Sequence, residues 1–113
     1  MSCLFCRIAA GEIPARIAYR DDSVVAFHDI EPRAPTHVLV IPREHVPSVD
    51  AIEAGHGPTL AAMVLAAQKV AHEVGAERSG YRLVFNHGPD AGQSVDHLHL
   101  HLLAGRKLSW PPG

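Results

Sequence analysis

Between Pro58 and Gly75 the apolar residues Leu60, Met63, Val64, Ala67, Ala71 and Val74 recur at helical spacing. That pattern predicts one long amphipathic helix, with Pro58 in its first turn and Gly75 as its stop. A shorter apolar stretch over residues 4–10, closed by Gly11, predicts a second helix. Residues 17–19 and 24–28 read as two strands around the polar turn Arg20-Asp21-Asp22-Ser23. Residues 29–36 contain Pro32 and Pro35 and predict a loop. The nearly continuous run His37-Val38-Leu39-Val40-Ile41, ended by Pro42, predicts a buried strand, and residues 81–86 a further one.

The last strand has the most unusual pattern. In His97-Leu98-His99-Leu100-His101-Leu102-Leu103, histidine and leucine alternate with period two. A strand of that pattern carries imidazoles on one face and core side chains on the other. The order of elements predicts an α+β fold: a five-stranded antiparallel sheet with one long and one short helix. At 113 residues, 1–113 reads as a single domain.

Composition narrows the partners. The chain is 47% hydrophobic and 19% charged, with a net charge of −2 and no basic run. Nucleic acid and membrane are therefore not expected partners, although single phosphates are. The N-terminus lacks an export pattern, which predicts a cytoplasmic protein with reduced thiols.

The histidine row could be structural, metal-binding or catalytic. Histidines two apart on a strand lie about 6.5–7 Å apart, too far for three of them to share one zinc on a straight strand. The loop before the row favours catalysis. Gly88, Gly92 and Ser94 let backbone amides and a hydroxyl approach an anion, and Asn86 ends the neighbouring strand. An anion cradle beside imidazoles points to phosphoryl or nucleotidyl transfer through a histidine nucleophile. Cys3 and Cys6 have zinc-ligand spacing, with reduced thiols and a redox pair as the alternatives.

The alternating histidine motif resembles that of the histidine triad superfamily. Ile13-Pro14-Ala15, Ala26-Phe27-His28-Asp29-Ile30, residues 34–42, Gly92-Gln93-Ser94 and the tail 105–113 are similar to its Hint branch, the purine nucleoside phosphoramidases. The resemblance implies cleavage of the P–N bond of nucleoside 5′-phosphoramidates, adenosine preferred, releasing AMP and an amine. His99 matches the nucleophile that becomes nucleotidylated, and His101 the phosphate-contacting histidine. His37 and His97 match histidines that buttress the active site. Asn86, Gly92, Gln93 and Ser94 match the phosphate loop, Asp29 the ribose-binding carboxylate, and Ile30, Phe5 and Ile8 the base pocket.

It also implies a homodimer with a continuous ten-stranded sheet, built from the long helix and strand 81–86, with Trp110 reaching the partner's site. No cofactor is implied for the chemistry. A structural zinc on Cys3, Cys6, His45 and His97 is implied by some bacterial relatives and absent from others. Cleavage of dinucleoside polyphosphates, nucleotidyl transfer as in other branches, and a purely regulatory nucleotide-binding role stay open. His87 and Asp96 depart from the usual Hint pattern, and His56 and His72 read as solvated surface residues.

Overall fold

In this computed structural model, which describes residues 3–113, five strands form one antiparallel sheet in the order β1-β2-β3-β5-β4. The first two residues of the N-terminal stretch lie outside the described residues. The strands are β1 (Ile17–Arg20), β2 (Val24–His28), β3 (Thr36–Pro42), β4 (Tyr81–Phe85) and β5 (Leu100–Ala104). Helix α1 spans Leu4–Ala9 and α2 spans Gly57–Glu73, with a single-turn helix α3 at Ala76–Ser79. The predicted order and type of the main elements hold. Among the described residues, no helix is long and apolar enough to cross a membrane.

The sheet separates two apolar clusters. On one face α2 contributes Met63, Ala66, Ala67, Val70 and Ala71, packed on Val38, Val40, Leu98, Leu100 and Leu102. On the other, Phe5 of α1 packs on Val25, Phe27, Leu39 and Ile41. The helical period was right but its phase needs correcting. Val64 and Val74 are 43% and 49% exposed, and Ala66 and Val70 take the buried positions. Alanines at 66, 67 and 71 let α2 approach the sheet closely, with Met63 and Val70 filling the space beside them.

The histidine row also needs correction. Only Leu100–Ala104 is strand; His97, Leu98 and His99 form the irregular approach to it. The side chains still alternate. Leu98, Leu100 and Leu102 face α2, while His99 and His101 face α1 and the cavity beneath it. Within the sheet, His101 pairs with Leu39 on one side and Val84 on the other. His37, two residues before Leu39, is thereby the diagonal neighbour of His101 on the same face.

His56 is not merely solvated. Its Nδ1 accepts the Glu53 N–H at 2.9 Å in a capping box ahead of α2, and its Nε2 lies 3.4 Å from Glu44. His72 sits 3.4 Å from Glu77 across the α2–α3 junction.

Candidate active site

A cavity of about 650 Å³ opens between α1 and the sheet. Phe5 and Ile8 come from α1, Phe27 from the end of β2, and Asp29 and Ile30 from the loop after it. Ser94, His99 and His101 close its far end. The lining is largely apolar but carries the carboxylates of Asp29 and Glu31, the Arg16 guanidinium, the Ser94 hydroxyl and the imidazoles of His28, His99 and His101. The volume suits a small organic ligand.

Tautomers in the site follow from partners whose own roles cannot change. The carbonyl of His97 accepts a hydrogen bond from His99 Nδ1 at 2.7 Å. A carbonyl has no proton to give, so Nδ1 of His99 carries the hydrogen and Nε2 is bare. The backbone N–H of Arg33 donates to His37 Nδ1 at 3.0 Å. Nε2 of His37 consequently carries a proton and donates to His101 Nδ1 at 2.9 Å. His101 thus bears its own hydrogen on Nε2. Two adjacent imidazoles, with ring centroids 5.1 Å apart, present one bare nitrogen and one N–H.

Burial favours the neutral rings of His101 and His37. His101 has its pKa lowered to about 4, first by desolvation and then by repulsion from His99 and His37. His37 is lowered mainly by burial, with Asp29 opposing. Asp29 accepts the Glu31 N–H on Oδ1 at 2.9 Å and stands 3.4 Å from His37 Nε2 through Oδ2. It keeps carboxylate lone pairs toward the cavity.

The glycine loop divides the roles assigned to it. Gly92 adopts φ +80° at the end of the turn Pro89–Ala91, a left-handed conformation that favours glycine. Ser94 reaches the cavity. Gln93 does not offer its side chain to it: Oε1 accepts the Gly88 N–H at 3.0 Å, and Nε2 donates to Pro47 and Val95 carbonyls. Its backbone N–H goes to Gly88 as well. Gln93 holds the loop's shape. Asn86 lies on the other side of His101, in an adjoining groove of about 770 Å³ that Trp110 also lines.

His97 is fully buried and has no free nitrogen. Nε2 donates to the Pro42 carbonyl at 2.9 Å, which leaves Nδ1 bare. That nitrogen faces Cys3 Sγ at 3.4 Å, Cys6 Sγ at 3.5 Å and His45 Nδ1 at 3.1 Å. Cys6 Sγ and His45 Nδ1 are 3.3 Å apart. Ligands of a tetrahedral zinc with Zn–N of about 2.05 Å and Zn–S of about 2.3 Å stand roughly 3.3–3.7 Å from one another. The donor set and its spacing fit such an ion. His97 does not line the cavity and meets it through its carbonyl, which accepts from the His99 ring.

Sequence reasoning did not find the Arg33 N–H or the Pro42 carbonyl, which set two of these tautomers. Backbone groups carry no residue-type signal. Phe27 and Leu39, which also line the cavity, read from sequence only as core strand residues.

The HIT domain family model matches residues 10–108. The chain is 46% identical over 105 residues to the purine nucleoside phosphoramidase of Escherichia coli K12, covering 93% of this chain and 88% of that protein. Its fold superimposes on a HIT family hydrolase from Legionella pneumophila with a TM-score of 0.97, at 47% identity, covering 99% of this chain and 100% of the other. A histidine triad nucleotide-binding protein from Candida albicans matches with a TM-score of 0.83 at 31% identity, covering 97% and 83% of the two chains.

Proposed function

The chain belongs to the HIT domain family, and on that premise we propose that it hydrolyses nucleoside 5′-phosphoramidates, with adenosine as the preferred base. The 46% identity to a purine nucleoside phosphoramidase supports the substrate class. One observation carries the mechanism: His99 Nδ1 is tied to the His97 carbonyl at 2.7 Å, so a bare Nε2 faces the cavity.

In this reading the base lies against Phe5, Ile8 and Ile30, and Asp29 accepts the ribose hydroxyls. The phosphate sits at Ser94 and His101, with Asn86 and the amides around Gly92 approaching from the loop that Gln93 braces. His99 Nε2 attacks phosphorus, the P–N bond breaks, and the amine leaves with its electron pair, taking a proton from solvent that the hydrolytic water later returns. The imidazole then carries positive charge, which the His97 carbonyl stabilises through Nδ1–H. Water attacks the nucleotidyl-histidine, releasing AMP and restoring the neutral ring. His101 donates Nε2–H to the phosphate, while His37 fixes its tautomer.

No metal enters these steps. Zinc at Cys3, Cys6, His45 and His97 would join α1 to the sheet and supply structural stability. The reading extends to a homodimer. Among the described residues, edge strand β4 is unpaired on one side, and Val64 and Leu65 on α2, with Val74 at its C-terminal end, expose apolar surface. A second copy across β4 would give the ten-stranded sheet, testable by sedimentation.

Mass spectrometry after mixing with an adenosine phosphoramidate tests the mechanism. Wild type should trap a nucleotidyl adduct on His99, and folded His99→Ala should retain AMP binding without turnover. Turnover that survives in His99→Ala overturns the reading. Comparable activity on diadenosine polyphosphates would favour another branch of the family.

A further inference from the structure

We propose that Cys3 and Cys6 form a reversible redox site whose oxidation to a disulfide loosens the nucleophile. The inference rests on the reading of His99 as nucleophile and adds a control to it.

Cys3 is the N-cap of α1 and Cys6 its third residue, with the Cys6 N–H donating to Cys3 Sγ at 3.5 Å. Both sulfurs lie on one side of the first turn, within 4.8 Å of each other. A disulfide requires about 2.05 Å, so closing it moves the pair by less than about 3 Å. Both residues are half-buried, and Cys6 is reached beside the exposed His45.

The sulfurs are two contacts away from the nucleophile. Each stands within 3.5 Å of His97 Nδ1, and the His97 carbonyl holds His99 Nδ1 at 2.7 Å. Bare Nδ1 accepts from a thiol hydrogen, a cation or the Nδ1–H of His45, 3.1 Å away. A disulfide removes the thiol donors and leaves His45. The His97 ring then keeps the Pro42 carbonyl and the exposed His45, and loses the two thiol contacts that tie it to α1. Helix α1 also bears on both rings through Phe5, whose ring meets His97 and His99 edge-on at 6.0 and 5.2 Å.

A peroxide is a sufficient oxidant. One thiolate attacks a peroxide oxygen, breaking the O–O bond to give a sulfenic acid and water. The second thiolate displaces hydroxide from that sulfur, which takes up a proton as water. Two thiols are oxidised and one peroxide is reduced to two waters. Zinc, by holding both sulfurs, would block the reaction.

The test uses full-length protein stripped with a chelator and treated with hydrogen peroxide, read by intact mass, AMP calorimetry and turnover. Oxidation should remove two hydrogens, weaken AMP binding about tenfold and slow turnover at least tenfold. Dithiothreitol should reverse all three, and zinc-loaded protein should resist. Metal-free Cys6→Ser should show neither the mass loss nor the peroxide-dependent changes. Failure to form the disulfide, or a disulfide that leaves AMP affinity and turnover unchanged, overturns the proposal. If the reduced protein binds AMP but turns over no phosphoramidate, the proposed reaction fails, while the AMP arm still reads the redox response.

Discussion

His37 Nε2 stands 2.9 Å from His101 Nδ1, and the Arg33 backbone N–H on the far nitrogen of His37 decides which ring donates. The pair works in one direction only. His37 never reaches the cavity, yet it determines that His101 presents N–H there. His37→Ala should therefore reduce kcat about 10- to 100-fold with little change in KM. His37→Gln, which keeps an N–H donor, should recover part of the loss. Equal kcat in wild type and His37→Ala would contradict this role.

Burial of these imidazoles makes stability depend on pH. His101 titrates at about 4 in the folded protein and near 6.5 when unfolded, and His37 is shifted downward too. As pH falls below about 6.5 the unfolded chain gains protons that the folded chain refuses. Stability is thus full above that pH and is lost progressively on acidification toward 4. Urea midpoints of metal-free protein at pH 7.5, 6 and 5 should fall accordingly. His101→Gln should flatten the profile, and an unchanged slope would refute the assignment.

The sequence already showed which residues alternate in the histidine strand and which loop precedes it. It could not show that the strand begins only at Leu100, because the turn of chain at His97 depends on its bond to the Pro42 carbonyl. The phase of α2 was ambiguous for a related reason: alanines carry little hydrophobic signal, although close packing against the sheet selects them at 66, 67 and 71. The roles of His97 were confounded because its ring and its carbonyl serve different neighbours. Long-range contacts between Cys3 and His97 have no local pattern in the chain.

Gly105 shows how the tail is tied to the site. It follows β5 at φ +96°, and a Cβ there would stand 2.8 Å from the Pro35 Cβ. Beside it, the Arg106 guanidinium donates to the Arg33 carbonyl at 3.0 and 2.9 Å. Gly105→Ala combines a left-handed backbone with a clash against a rigid ring, and should cost about 2–4 kcal/mol. Chemical denaturation measures it. A loss below 0.5 kcal/mol would mean that the Pro35 loop yields freely.

Asp29 offers the sharpest test of ribose recognition. Its Oδ1 is engaged by the Glu31 N–H, which asparagine can also satisfy, so Asp29→Asn should fold normally. What asparagine loses is the charge-assisted acceptor for sugar hydroxyls, worth about 1.5–3 kcal/mol. The expected result is a roughly 10- to 100-fold lower kcat/KM for an adenosine phosphoramidate. For the 2′,3′-dideoxy analogue, wild type and variant should differ little, since the hydroxyls whose bonds are lost are already missing. A full additional loss on the dideoxy substrate would place the effect of Asp29 in His37 instead, 3.4 Å from its other oxygen.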